Sequence, residues 1–166
     1  PGGTAIISDG SWSSKTIERG KDPSGLGRWS FTTVVGKNDS RLTVICAYRV
    51  CSGQNINNVG PSTAYAQQYG LLKKKGKVSP NPREQFIRDL KAFVQEKINM
   101  HHDILICLDA NEELTTKNSR IKALMTECGL YDVASSKVSP SPPTYTKNGR
   151  EYTIDFFFGT QRVVDS

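Results

Sequence analysis

Ile104-Leu105-Ile106-Cys107-Leu108-Asp109-Ala110-Asn111-Glu112 is an apolar run that stops abruptly on Asp-x-Asn-Glu. Strands buried on both faces read as continuous hydrophobic runs, so residues 103–109 are expected to form an interior strand. The end of such a strand presents a carboxylate and an amide at a sheet edge. Side chains two apart on a strand point the same way, so Asp109 and Asn111 address one ligand if extended geometry continues. A carboxylate there orients or deprotonates water, and an amide donates to a phosphate oxygen. Taken alone, such a pair more often simply caps the strand and opens a turn. An apolar strand ending in Asp with Glu112 beside it also fits the Walker B element of a nucleotide hydrolase. That reading needs Gly-x-x-x-x-Gly-Lys-Ser/Thr, and neither Gly36-Lys37-Asn38 nor Gly76-Lys77-Val78 supplies the Ser or Thr.

Further strands are expected near 3–8, 28–36, 41–48 and 152–158, each rich in β-branched, aromatic or aliphatic residues. A polar loop, Asp9 to Gly27, follows the first. Gly36–Ser40 makes a short hairpin-like link between the second and third, so the first half reads as antiparallel. Helical patterning covers 62–75 and then Arg83–Asn99, where Asn81-Pro82 opens the helix and Phe86, Leu90, Phe93, Val94 and Ile98 fall on one face. A third helix begins after Ser119 as N-cap and ends at Gly129. Ser135 to Pro143 reads as a Pro/Ser-rich loop. This order implies layers of helix and sheet, an α/β (α+β) arrangement with part of the sheet antiparallel.

Two other places carry polar groups where chemistry is possible. Asp155 stands alone in the apolar stretch Tyr152-Thr153-Ile154-Asp155-Phe156-Phe157-Phe158, where burial is costly without a partner. It is either bonded to backbone or Arg150, or it orients a catalytic imidazole. Tyr48-Arg49 ends the third strand, where a hydroxyl and a guanidinium can reach a phosphate or simply line the rim. His101 and His102 sit together at a helix-to-strand link and are expected to be exposed. Trp12 and Trp29 read as packing residues, and Lys73-Lys74-Lys75-Gly76-Lys77 as a solvated helix end or a backbone-tracking run.

The net charge of +6 and pI near 9.2 favour polyanionic partners such as nucleic acid or an acidic membrane face. No Cys-x-x-Cys pair occurs among Cys46, Cys51, Cys107 and Cys128, which argues against structural zinc and for reduced thiols. No apolar stretch is long enough to span a membrane, and no secretory signal is visible. An intracellular place, nuclear or cytoplasmic, is the corresponding expectation.

Gly2-Gly3-Thr4-Ala5, Leu42-Thr43-Val44-Ile45-Cys46-Ala47-Tyr48, Leu108-Asp109-Ala110-Asn111, and Thr144-Tyr145 with Ile154-Asp155-Phe156 occur in the order and rough spacing of a known family. Together they resemble the endonuclease/exonuclease/phosphatase family, which includes abasic-site endonucleases, pancreatic deoxyribonuclease and retrotransposon endonucleases. Asp109-Ala110-Asn111 matches its Gly-Asp-x-Asn motif, with Leu108 where glycine is usual. Ile154-Asp155-Phe156 matches its Ile-Asp-Tyr motif, with phenylalanine for tyrosine. Tyr48-Arg49-Val50-Cys51 and Asn81-Pro82-Arg83-Glu84-Gln85-Phe86 look most like endonuclease domains that accompany reverse transcriptases.

The resemblance implies a four-layer α/β sandwich of two packed mixed or antiparallel sheets flanked by helices, with 1–166 as one partial domain. It implies metal-dependent phosphodiester hydrolysis, with DNA as the foremost partner and a reverse transcriptase fused in the parent chain. In that scheme Asp109 activates water, Asn111 holds the phosphate, Tyr48 contacts it and Asp155 orients a histidine. Arg49 and Thr144 would bind substrate. Mg2+, or Mn2+ in its place, would sit on Asp109 and Asn111. The family's metal-binding Glu precedes the Gly-Gly-x-Ala strand and its Ser-Asp-His follows the Ile-Asp-Tyr strand, so the domain is expected to be incomplete at both ends and weakly active alone. A phosphoinositide phosphatase or sphingomyelin phospholipase of the same fold, and a non-catalytic basic module, are the alternatives.

Overall fold

The computed structural model describes residues 3–52, 60–138 and 142–166. Gly2 of the first motif and residues 139–141 of the Pro/Ser-rich stretch lie outside them. A six-stranded mixed sheet organises the rest. Its strands are β1 (Thr16–Lys21), β2 (Trp29–Val35), β3 (Arg41–Tyr48), β4 (His102–Asp109), β5 (Tyr131–Asp132) and β8 (Asp155–Gly159), in spatial order β1-β2-β3-β4-β8-β5. A second, two-stranded sheet pairs β6 (Tyr145–Lys147) with β7 (Arg150–Tyr152). With its helices this is the expected α/β architecture.

Among the described residues only β3 and β4 run parallel, and a parallel pair requires a long crossover. α2 (Ala64–Lys74) and α3 (Pro82–Asn99) supply it. α3 starts where Asn81 Oδ1 accepts the Arg83 and Glu84 amides, with Pro82 in the first turn where its missing N–H costs nothing. α4 (Arg120–Cys128) is capped by the Ser119 hydroxyl and ends at Gly129 in the left-handed region, φ 62°. Phe86, Leu90 and Val94 of α3 and Ile121 and Leu124 of α4 bury against Ile45, Ile104, Ile106, Leu108, Phe156 and Phe158. Phe93 and Ile98 complete the face at its margin. Trp29 closes the core edge-on against Phe86, with ring centroids 6.3 Å apart.

Several local expectations change. Residues 3–8 are not a strand, and Ile7 is 93% exposed. The edge strand is β1, formed inside the expected polar loop and preceded by α1 (Gly10–Ser14). Its sequence, Thr-Ile-Glu-Arg-Gly-Lys, is mostly exposed, so pairing with β2 rather than an apolar pattern defines it. The stretch 152–158 splits into β7 and β8, because Ile154 leaves the ladder to exchange hydrogen bonds with Ala110 and Thr144. Ser135 begins no loop: it lies in α5 (Val133–Lys137), capped by Asp132. Trp12 is 55% exposed and packs poorly. β4 is buried on its helix-facing side and half-buried on the other.

Candidate active site

Strand register builds the site. Tyr48 is the last residue of β3 and lies opposite Asp109, the last residue of β4, while Asp109 lies opposite Asp155, the first residue of β8. Neighbouring strands are about 4.8 Å apart, so the three side chains form a short row. Phe156 and Phe158 point into the core, and alternation turns Asp155 to the opposite face with Asp109 and Tyr48. The row therefore stands at the carboxyl ends of the parallel pair, on the side away from α3 and α4. Crevices outside the carboxyl ends of parallel strands are where open α/β sheets bind ligands.

The setting changes two of these groups. Partial burial, then the charge of Asp155, raise the Asp109 pKa against one lowering contact, the Asn111 amide on its carboxylate at 3.2 Å. Burial, then the Cys51 thiol and the Asp109 charge, push the Tyr48 phenol up. Asp155 is anchored through its backbone, since the Thr144 hydroxyl accepts the Ile154 and Asp155 amides at 3.1 and 3.2 Å. Thr144 thus braces the row from behind.

Asn111 does not reach the row by strand alternation. β4 ends at Asp109, and Asn111 takes a left-handed conformation, φ 47°, that turns its amide back toward β3. Its Nδ2 donates to the Arg49 carbonyl at 2.8 Å, and its Oδ1 accepts from the Cys51 thiol at 3.1 Å. Asparagine tolerates this backbone region better than most residues.

Arg49 departs from expectation. It is 2% exposed, and its Nη1 donates to Glu112 at 2.6 Å. The next residue on from Tyr48 faces the other way, so this guanidinium points inward and holds structure instead of substrate. Glu112 is the hub that sequence reading missed. It also accepts from Arg83 at 3.1 Å, from the Ser119 hydroxyl at 2.8 Å and from the Arg120 amide at 3.0 Å. Burial opposes its ionisation, but Arg49, Ser119 and the backbone amides prevail and hold it at about 2. Arg83 ties in the carbonyls of Val50 and Asn111. The ends of β3, β4, α3 and α4 are thereby locked together beneath the row.

No protein-family model and no curated protein matches the chain. Solved structures do. The APE2 catalytic domain from Xenopus laevis aligns with a TM-score of 0.55 at 15% identity, over 84% of this chain and 48% of that one. An AP endonuclease from Archaeoglobus fulgidus gives 0.54 at 14% identity, over 90% and 60%. The endonuclease domain of TRAS1, a telomere-specific non-LTR retrotransposon, gives 0.50 at 15%, over 84% and 53%. The chain has the endonuclease/exonuclease/phosphatase fold. It spans about half the length of the structures it matches.

In this fold the Asp-x-Asn and Ile-Asp-Phe segments, Asp109–Asn111 and Ile154–Phe156, are adjacent across β4 and β8. The chain's two histidines are remote from them. His102 opens β4 at the far end of the sheet, seven residues or about 23 Å from Asp109 at 3.3 Å per residue. It is buried, contrary to expectation, with Nδ1 and the Thr43 hydroxyl 2.9 Å apart. Burial, then the charges of Lys97 and Arg41, lower its pKa. The four cysteines are unpaired thiols.

No cluster of three or more His, Cys, Asp or Glu that would hold a metal occurs among the described residues. The donors at the row are hard oxygens: the Asp109 and Asp155 carboxylates and the Asn111 carbonyl. Burial, and then the facing Asp155 carboxylate, raise the Asp109 pKa, so negative charge in the row is left uncompensated. Magnesium binds through one or two carboxylates and completes its shell with water and phosphate oxygens, so these donors fit it.

Proposed function

We propose that this chain carries the carboxylate edge of a phosphodiester hydrolase that nicks DNA. The observation behind this reading is the Tyr48–Asp109–Asp155 row, two carboxylates and a phenol set side by side at the carboxyl ends of β3 and β4. A carboxylate with raised proton affinity is the better base, so Asp109 orients the attacking water and takes its proton. Tyr48 remains a neutral phenol and donates to a non-bridging phosphate oxygen. Asn111 has a second amide hydrogen besides the one given to Arg49, and it donates to the same phosphate. Asp155 stands beside Asp109 and, braced by Thr144, keeps the site acidic on its open flank. Magnesium or manganese, held by Asp109 and Asn111 with Asp155 alongside, would neutralise charge developing on the phosphate.

Neither histidine approaches the row, so protonation of the leaving oxygen by an imidazole is not a task for residues of this chain. We infer that the 166 residues alone turn over poorly. The retroelement character rests on the Tyr48–Cys51 and Asn81–Phe86 segments and on the likeness to the TRAS1 endonuclease domain. The test is nicking of supercoiled plasmid in magnesium by the full-length protein. Nicking should fall at least a hundredfold in Asp109→Ala and in Asp155→Ala, the scale of general base catalysis. Folded protein that never nicks, or nicks equally well in both variants, overturns the reading.

A further inference from the structure

From Ser40 to Arg83 the chain has no acidic residue and seven basic ones. Arg49 and Arg83 are turned inward onto Glu112. Four of the others gather at the end of α2, as Lys73, Lys74, Lys75 and Lys77. Lys75 is fixed, its ammonium donating to the Ser24 carbonyl at 2.5 Å. Lys73, Lys74 and Lys77 are exposed and have no ion pair or side-chain hydrogen bond among the described residues. They are not needed to satisfy the helix end. The Lys75, Gly76 and Lys77 amides already bond the carbonyls of Leu71, Lys73 and Leu72. Three like charges are thus held together on a capped helix end, which favours an anionic counterpart.

Their position in the fold makes the counterpart specific. Ser24, which anchors Lys75, accepts from the Arg28 guanidinium at 3.1 Å, and the Arg28 carbonyl accepts the Tyr48 amide at 2.9 Å. These contacts tie the end of α2 to the turn between β1 and β2 and, through the Arg28 backbone, to the end of β3 where Tyr48 stands, so the lysines lie at the same end of the sheet as the row. We propose that Lys73, Lys74 and Lys77 form a phosphate-contact surface for the substrate strand, flanking the Tyr48–Asp109–Asp155 edge. This rests on the reading of the chain as a nucleic-acid hydrolase. An anionic membrane is the competing partner, since Leu71 and Val78 are exposed beside the lysines. A membrane-surface helix needs an outward apolar face, however, and Leu72 of α2 is buried inward.

The experiment compares wild type with the triple variant Lys73→Gln/Lys74→Gln/Lys77→Gln and with Asp109→Ala. Duplex affinity is measured between about 50 and 200 mM salt. Each lost phosphate contact lowers the slope of log affinity against log salt by about 0.9, so the triple variant should lose roughly 2.7. Its KM should rise with kcat held, whereas Asp109→Ala should keep the wild-type salt slope and not cut. An unchanged salt slope overturns the surface. Lysine-dependent pelleting with phosphatidylserine vesicles, with duplex binding unaffected, overturns it in favour of a membrane. Lysine-dependent duplex binding by a wild-type protein that never cuts upholds the surface and refutes the catalytic reading instead.

Discussion

Replacing Glu112 by glutamine keeps the side chain's shape and its acceptor toward Ser119 and Arg120 but removes the charge between Arg49 and Arg83. Two routes give the size of the effect. The folded state holds Glu112 at about 2 instead of the ordinary 4.5, which at roughly 1.4 kcal/mol per pH unit amounts to about 3 kcal/mol at neutral pH. Independently, removing one partner of a buried pair costs about 3–5 kcal/mol, and Arg49 is 2% exposed. The sign follows from the lowered pKa. The contribution is complete above pH 4.5 and is lost as pH falls toward 2. Urea unfolding followed by Trp29 fluorescence should show Glu112→Gln less stable than wild type by about 3 kcal/mol at pH 7. The gap should narrow to about 1.5 kcal/mol at pH 3, because wild type alone loses this linkage. Stability differences that stay constant from pH 7 to pH 3, or that never exceed about 0.5 kcal/mol, would refute the assignment of Glu112 as the ionised hub.

Asp109→Asn should stabilise the protein while removing activity. A raised pKa means the folded state resists ionisation, so stability falls as pH rises through the ordinary carboxylate range. Differential scanning calorimetry at pH 7 should show a gain of about 0.5–1 kcal/mol, a few degrees in Tm. His102 has a lowered pKa, so its contribution is complete above the ordinary value near 6.5 and declines as pH falls below it. His102→Gln should flatten the stability profile between pH 7 and pH 5, measured by the same urea titration.

Asp109 and Asp155 stand out in the sequence as acids set against apolar strand residues, a pattern that by itself fits a capped strand as well as a site. Helices α3 and α4 were equally legible from Asn81-Pro82, Ser119 and Gly129, where cap chemistry is local. The row itself was not, since adjacency of Asp109 and Asp155 depends on pairing β4 with β8 between residues 46 positions apart. Arg49 was misread for the same reason. Its partner Glu112 lies 63 residues away, and burial of a guanidinium leaves no mark in the local pattern. His102 was misplaced because the Thr33–Thr43–His102 hydrogen-bond chain that accommodates it is assembled from three strands. β1 has no apolar pattern because its residues are mostly exposed, and pairing with β2 makes it a strand.

The proposed function requires that a phosphate ester and its cation bind at the Tyr48–Asp109–Asp155 edge. Paramagnetic broadening of backbone amide signals in the isolated chain tests it most directly, with manganese added beside a thymidine dinucleotide and with manganese alone. Signal losses should centre on Ala110, Asn111, Ile154 and Asp155, deepen with the dinucleotide and vanish in Asp109→Ala. Broadening centred on acids remote from this edge, such as Asp39 or Asp165, or unchanged in Asp109→Ala, would contradict it.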